Sequence, residues 1–563
     1  MNAVSGNVLR RFFPYLAAMK RFLLAGAAAV LAVLRLGGQG REEGTAFLAL
    51  TGATGPEESD VSEIERFDHF LRHPLRINLS SRSRLLSSGL LTPYQVASLL
   101  DYRAREGDIL SVSELALVDG YGAEAARILA PFLSFETVRR PGETAVLRRT
   151  ELEATVRTVL RDGEMSARAR CRIACGDRWE AALSNGSAVA VLYGKRPLGQ
   201  LILGRFNARF GQGLALWSGF SMSGLPAPGA FCRRPSGLSP CRSFSGTGLE
   251  GAAADFHFGR WTFSVFNTAA DRGGTFLSGA NAAWYGRFCQ WGATWAREGG
   301  RLHKAAVDLR ACLKGTDLFA EAARDMVTGK TGAVAGVVVP AGERSRVSWL
   351  VRAYPTAFTP ARAGAVRSGS KVTDEIGTAA GFSSRNSSFS LDGAWHPSKR
   401  RGQAKGVLLV SRPFGPHVTV RSRIAERWRS RSPHNRTDLR ADLLQEYGAA
   451  AVNLRLNGLF GKGLGLLGYM ETGWKGERLF LWLRGTLFRI DDWEDRIYAY
   501  ERDAPGNFSV PAYYGRGYGL SCFGGWKGGR WKCWLRASLV RYPWTAAKKP
   551  GRAELKCQLS WDL

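Results

Sequence analysis

The residues of this 563-residue chain that could do chemistry are scattered rather than gathered. Seven histidines (His69, His73, His257, His303, His396, His417 and His434) stand outside any H-E-x-x-H frame, so no zinc-hydrolase helix is expected. Nine cysteines form no C-x-x-C pair and no Cys/His cluster with zinc spacing. Several alternate with apolar residues and read as small hydrophobes. Cys232 and Cys241 flank a Pro/Gly/Ser/Arg-rich stretch and could clip a loop in an oxidising compartment. The chain has no G-x-S-x-G elbow and no Walker A loop, and Gly211-Gln212-Gly213 is too short for a nucleotide site. Asp491, Asp492, Glu494 and Asp495 could hold calcium weakly, but a solvated loop accounts for them better. The expectation is a non-enzyme with no metal site and no cofactor.

The elements behind these residues fall into three parts. Phe22–Leu34 is an apolar run with Lys20 and Arg21 before it and Arg35 after it. It is short of the ~20 residues that span a bilayer and matches a signal-peptide core. Residues 1–40 are therefore read as a signal peptide, with Met19 as an alternative start, and 41–59 as a linker.

Residues 60–137 carry helical punctuation. A helix-like stretch is expected near Arg82–Ser88. Thr92-Pro93 supplies an N-cap and a first-turn proline for a helix over Pro93–Arg105. Ser113 and Glu114 open a short helix through Leu117, Asp119–Gly122 is a tight turn, and Ala123–Leu133 forms a last helix.

From about 146 to 563, period-2 alternation dominates. Ala254, Phe256 and Phe258 alternate, Gly259-Arg260 turns the chain, and Trp261, Phe263 and Val265 alternate again, which is a hairpin. Trp531, Cys533, Leu535, Ala537 and Leu539 share one face of another strand, with Trp534 interrupting the polar face. Leu555, Cys557, Leu559, Trp561 and Leu563 alternate to the terminus. A soluble sandwich alternates too, but some 420 residues of strands behind an export leader favour a membrane barrel of about 14–20 strands.

The net charge of +30 divides unevenly. Residues 1–55 carry +4 and residues 56–137 carry −5, which leaves +31 on 138–563. Nucleic acid, anionic lipid and acidic ligands all become plausible partners, and a basic lumen stands beside a plain compositional taste for Arg.

Two resemblances attach to these parts. Gly89–Arg105, Leu110–Gly122 and Ala123–Leu129 are similar to the tandem helix-hairpin-helix of the competence-type DNA receptor domain. That resemblance implies contacts from Gly89, Thr92, Gly120, Tyr121 and Gly122 to a duplex DNA backbone. Val118–Gly122 keeps the apolar-Gly-apolar-Gly turn, whereas Gly89–Thr92 lacks the second glycine. The domain's core, 75–134, holds six Arg against six acids. Further on, Arg209, Gly211, Gln212, Gly213 and Trp217, within Arg209–Leu214 and Leu216–Phe220, together with Tyr498–Gly517, resemble a Bacteroidetes-type family in which a helix-hairpin-helix region precedes an outer-membrane barrel. The motif reads either as a loop folded into the lumen or, more simply, as a strand kinked by two glycines.

The fold class expected is mainly β: a large antiparallel transmembrane β-barrel at 146–563, preceded by a small all-α tandem helix-hairpin-helix domain at 60–137. Outer-membrane lipid and the barrel assembly machinery are the implied partners, and the helical domain is expected in the periplasm. Two functions remain open. One is DNA capture or uptake beside a basic pore. The other is a structural or transport barrel whose helical domain plugs the lumen or docks a periplasmic protein partner.

Overall fold

A computed structural model describes residues 57, 61–137, 150–176, 178–194, 197–219, 228, 231–242, 248–270, 274–286, 288–342, 344–432, 435–545 and 551–563. The expected signal peptide and all but Glu57 of the expected 41–59 linker lie outside these, as do His434, Phe220 and the stretch before Thr150.

The alternating segments become strands because each can present an apolar face to one side and a polar face to the other. They close into one antiparallel barrel in which neighbours in sequence are neighbours in space, apart from Arg552–Asp562, which pairs back onto Thr150–Arg161 with Leu559 opposite Val156. Closure leaves no unpaired edge, as a sheet in lipid requires. Twenty-four strands make the wall. Gly237–Pro240 is a short spur on Leu198–Arg209, which also pairs directly with Leu249–Phe258. The count exceeds the expected 14–20 because many connections are minimal. Asp162-Gly163 and Lys314-Gly315 both take positive φ, the twist that fits a two-residue hairpin.

The expected hairpin is present, with Phe258 opposite Trp261. Phe263 and Val265 are exposed on the outside while Thr262 and Ser264 are buried inside. Trp534 faces inward and is buried, which is why it breaks the polar pattern. Leu555, Leu559 and Leu563 are exposed on the last outward face. Aromatic side chains gather near the end where the first barrel strand begins and the last one finishes, with Trp261 and Trp291 5.0 Å apart and Trp531 and Trp561 6.3 Å apart. Trp395 and Trp428 sit toward the other end. An apolar exterior with aromatics near both ends and a charged interior is the pattern of an outer-membrane-type barrel.

Among the described residues, five helices precede the barrel: α1 (Val61–Arg72), α2 (Arg82–Ser87), α3 (Pro93–Arg105), α4 (Val112–Leu115) and α5 (Gly122–Leu129). Sequence reading missed α1. α3 starts as expected, with Thr92 and Gln95 forming a capping box. α4 begins earlier than expected because Ser111, not Ser113, caps it by accepting from Glu114 N. The last helix ends at Leu129 and tightens into a 3-10 turn at Ala130–Phe132, where Pro131 cannot continue the α pattern. A two-residue parallel pairing, Leu75–Arg76 with Leu133–Ser134, ties the two ends of the domain.

Candidate functional site

The helices share one apolar core with the inner barrel wall: Leu85, Leu90, Leu99 and Ile109 belong to the same buried cluster as Ala283 and Tyr285. α2 lies on Leu198–Arg209 and the Gly237–Pro240 spur, and α3 on the strands Leu277–Tyr285, Cys289–Glu298 and Leu302–Leu313. Ser83 Oγ is 2.6 Å from His257 Nε2, and His257 Nδ1 is 3.0 Å from Thr262 Oγ1. Gly199 permits this approach, since a Cβ there would collide with both Ser83 Oγ and the His257 ring. Arg82 donates to Gly259 O at 3.1 Å and lies over Tyr285, while Arg84 lies 5.0 Å from the Tyr193 ring centre.

α1 makes the second contact. Arg72 pairs with Glu153 of the first barrel strand at 2.7 Å, and Arg170 reaches the same carboxylate at 2.9 Å. His73 lies 3.4 Å from Glu151 and 3.5 Å from Glu153. Burial favours neutral His73, but the hydrogen bonds to Glu151 and Glu153 outweigh it and raise its pKa above 6.5. His69 is fully enclosed and has no such carboxylates. Burial, then the charges of Arg242 and Arg172, hold it well below 6.5 and therefore neutral. Just upstream, burial works against a charged Glu57, yet Arg455 and Arg440 hold it at about 2. Glu57 also accepts from Tyr500 N at 3.2 Å.

Three long connections at the opposite end fold inward. The first follows Leu198–Arg209 and contains the glycine motif. Gly211 and Gly213 take φ of +55° and +89°, so the chain leaves the strand in a tight turn rather than as a kinked strand. The turn aims backbone N–H groups of Gln212, Leu214 and Ala215 at the buried Glu321 carboxylate, at 2.6, 3.1 and 3.1 Å. The Gln212 side chain accepts from Arg233 N at 2.9 Å. The guanidinium groups of Arg209 and Arg233 lie 5.4 and 5.6 Å from the Trp217 ring centre, and Trp217 donates its backbone N–H to Arg362 O at 2.7 Å. Arg362 belongs to the second inward connection, 355–374. The third, 491–514, is held by ion pairs of Arg536 with Glu501, of Lys556 with Asp503 (2.7 Å) and of Arg502 with Glu471 (3.0 Å). It meets α1 where Gly506 N donates to Asp68 at 2.8 Å. Its acidic residues are engaged: Asp495 accepts from Gly463 N, Asp491 from Arg516, and Asp492 pairs with Lys462. No metal-holding group occurs among the described residues. Cys232 and Cys241 are buried and are not joined by a disulfide, so they do not clip the first connection.

The five residues singled out on the helices separate into two environments. Gly89 and Thr92 are buried, and a Cβ on Gly89, whose φ is +63°, would collide with the Arg66 guanidinium. The first turn is thus closed. The second is open: Gly120 and Gly122 are exposed with φ of +84° and +67°, and nothing lies near Gly122. Tyr121 is buried beneath them and donates to Gln95 O at 3.2 Å. The open turn is flanked by exposed Asp119 and Glu124, the latter paired with Arg127 at 2.8 Å. Sequence reading missed Glu321, Glu153 and Glu501. Parity signalled Glu153 and Glu321, each on the strand face opposite the exposed apolar residues, whereas Glu501 lies in a connection and carried no such signal.

No protein-family model and no curated protein matches the sequence. Among solved structures, the chain is similar to the translocation pore of the P pilus usher PapC at 7% identity and a TM-score of 0.37, over 74% of this chain and 99% of that one. It is similar to Pseudomonas aeruginosa OprD at 10% identity and a TM-score of 0.32, over 74% and 94%. It also matches Pseudomonas aeruginosa OccK2 at 10% identity and a TM-score of 0.30, over 74% and 97%.

Proposed function

We propose that this chain is an outer-membrane barrel whose periplasmic helical domain plugs its own lumen. The observation that carries this reading is the seat of α2 and α3 on the inner wall, where a shared apolar core and the Ser83–His257 contact join the domain to the barrel. The charge division supports it, since an acidic domain, −5 over 56–137, sits in a barrel part of +31. On this reading residues 1–40 are the export signal, and the barrel assembly machinery reads the alternating last strand. Leu110 and Leu117, exposed apolar residues of the domain, are available to a periplasmic partner. The resemblance to the Bacteroidetes-type helix-hairpin-helix barrels agrees with this order of domains.

The test is single-channel conductance in a planar bilayer. Deleting 56–137 is expected to raise conductance severalfold, and an unchanged conductance in a folded barrel refutes the plug. Duplex DNA binding is a second reading, supported by the exposed Gly120–Gly122 turn alone. Salt-dependent binding of duplex by the full chain, lost in Gly122→Val, would establish it, and no binding at low salt would end it.

A further inference from the structure

The outer face of the barrel carries a cavity of about 740 Å³ where the last strands meet the first, from Leu464–Lys475 round to Thr150–Arg161. It lies on the outward side. Leu160, Leu483, Leu520 and Leu555 around it are exposed, whereas their alternate neighbours Arg484 and Glu554 are buried on the inner face. Small residues leave the space: Gly485 stands opposite Leu520, Cys522 opposite Leu483 and Ala537, and Ala537 opposite Leu555. The volume falls within the ~300–1,000 Å³ of ligand sites. Asp162, at the edge, is engaged by Ala553 N at 2.8 Å.

Three arginines stand above this cavity, toward the end where the long connections fold inward. The outward positions of the same strands continue through Leu487, Tyr518 and Arg541 in one row and through Arg489 and Arg516 in the next. Arg541 is two residues beyond Leu539, and Arg489 and Arg516 are four beyond Gly485 and Leu520. At ~3.3 Å per residue these are rises of about 7 and 13 Å. Arg489 stands directly opposite Arg516, a like-charge pairing that destabilises a sheet unless an anion offsets it. Asp491 lies 2.9 Å from Arg516 and 3.5 Å from Arg489, and the next carboxylate, Asp492, pairs with Lys462 at 3.0 Å. Three outward arginines, Arg541 among them exposed, thus meet one carboxylate among the described residues. A second cavity of about 320 Å³ adjoins Arg516 and is lined by Asp491, Trp493, Tyr514 and Trp544. Tyr518 and Trp544, with rings 6.1 Å apart, mark this height as that of a bilayer's headgroups.

We propose that this outward site holds a phosphorylated membrane lipid, with an acyl chain in the apolar cavity and the phosphate on Arg489, Arg516 and Arg541. Guanidinium groups take phosphate bidentately, and basic pockets at headgroup level select anionic lipids. A zwitterionic lipid with the same chains would fill the cavity equally but would bring no net charge to the arginines. The inference rests on the membrane-barrel reading but not on the plug reading.

The test is native mass spectrometry of the full chain released from detergent, titrated with dioleoyl phosphatidic acid and, separately, with dioleoyl phosphatidylcholine. A cation near an anionic lipid contributes about a factor of five in affinity, so the net two charges set a preference of roughly twentyfold for phosphatidic acid. Arg489→Gln/Arg516→Gln/Arg541→Gln should bring the preference to about one or below, with heat-modifiable gel mobility reporting that the barrel has formed. Should that variant not fold, Arg541→Gln alone is expected to lower it about fivefold. Ala537→Trp, which fills the cavity, should weaken both lipids. Equal binding of the two lipids by the native chain, or an unchanged preference in a folded arginine variant, overturns the site. Displacement of the lipid by inorganic phosphate would overturn the lipid assignment, as would a lipid-free dimer that Ala537→Trp abolishes. Failure of the barrel reading would appear as recovery of the chain in the soluble fraction. Failure of the plug would appear as unchanged conductance on deleting 56–137, with the lipid preference untouched.

Discussion

Glu321→Ala isolates the contact that holds the first inward connection. In the native protein its carboxylate accepts backbone N–H groups from Gln212, Leu214 and Ala215, all buried. A hydrogen bond contributes about 0.5–1.5 kcal/mol net. Three to one carboxylate are not additive, so about 4 kcal/mol is the upper end of their contribution. The variant also leaves three buried donors without that acceptor, which adds to the cost in the same direction. A loss of about 4 kcal/mol raises the population of the opened connection roughly a thousandfold. The assay is limited proteolysis of folded barrel in detergent, with cleavage scored between Phe210 and Cys241. Glu321→Ala should be cut far faster than the native chain. Glu321→Gln, which keeps one acceptor oxygen but turns a donor toward the same N–H groups, should be intermediate to severe. Cleavage at the native rate in Glu321→Ala, with native gel mobility, would refute the claim that this carboxylate organises the glycine motif.

Three further outcomes follow from the docking of the helices. His73 has a raised pKa in the docked state and an ordinary one near 6.5 when released, so its contribution to docking is complete below about 6.5 and is lost as pH rises through the docked value. Protease sensitivity of the helical domain should increase as pH is raised above 6.5, and His73→Gln should flatten that dependence. Gly199→Ala places a methyl against Ser83 and His257, and should expose the helical domain to protease while leaving barrel mobility intact. Arg72→Met removes one partner of Glu153 but leaves Arg170 and His73 on it. The cost is therefore expected at about 1–3 kcal/mol, below that of a fully orphaned buried charge, and is measurable as more frequent channel opening.

The wall of this protein was largely legible in its sequence, because alternation such as Phe256/Phe258 and Phe263/Val265 forces one face into lipid whatever else the chain does. Strand number was not legible, since two-residue turns such as Asp162-Gly163 leave little trace between strands. The α3 cap was read from Thr92-Pro93, whereas α1 went unread among acidic residues and its amphipathic face shows only once Phe67 and Phe70 are buried. The lumen was the least legible part. Glu321 looks like any polar residue on a polar face until Gln212, more than a hundred positions away in sequence, turns its N–H toward it. Likewise the glycines of Arg209–Leu214 announce a bend, but not that the bend closes on a carboxylate.

The claim on which the account depends is that the helical domain sits inside the barrel, with α2 against the strand that carries His257. Short-range cross-linking measures this directly: Ser83→Cys/His257→Cys in a chain whose nine native cysteines are replaced by alanine, assembled in native membranes. The pair should cross-link in high yield, because Ser83 Oγ and His257 Nε2 are 2.6 Å apart, while Leu117→Cys/His257→Cys, from the exposed residue two positions past α4, should not. Equal low yields from both pairs in a folded barrel would contradict the account.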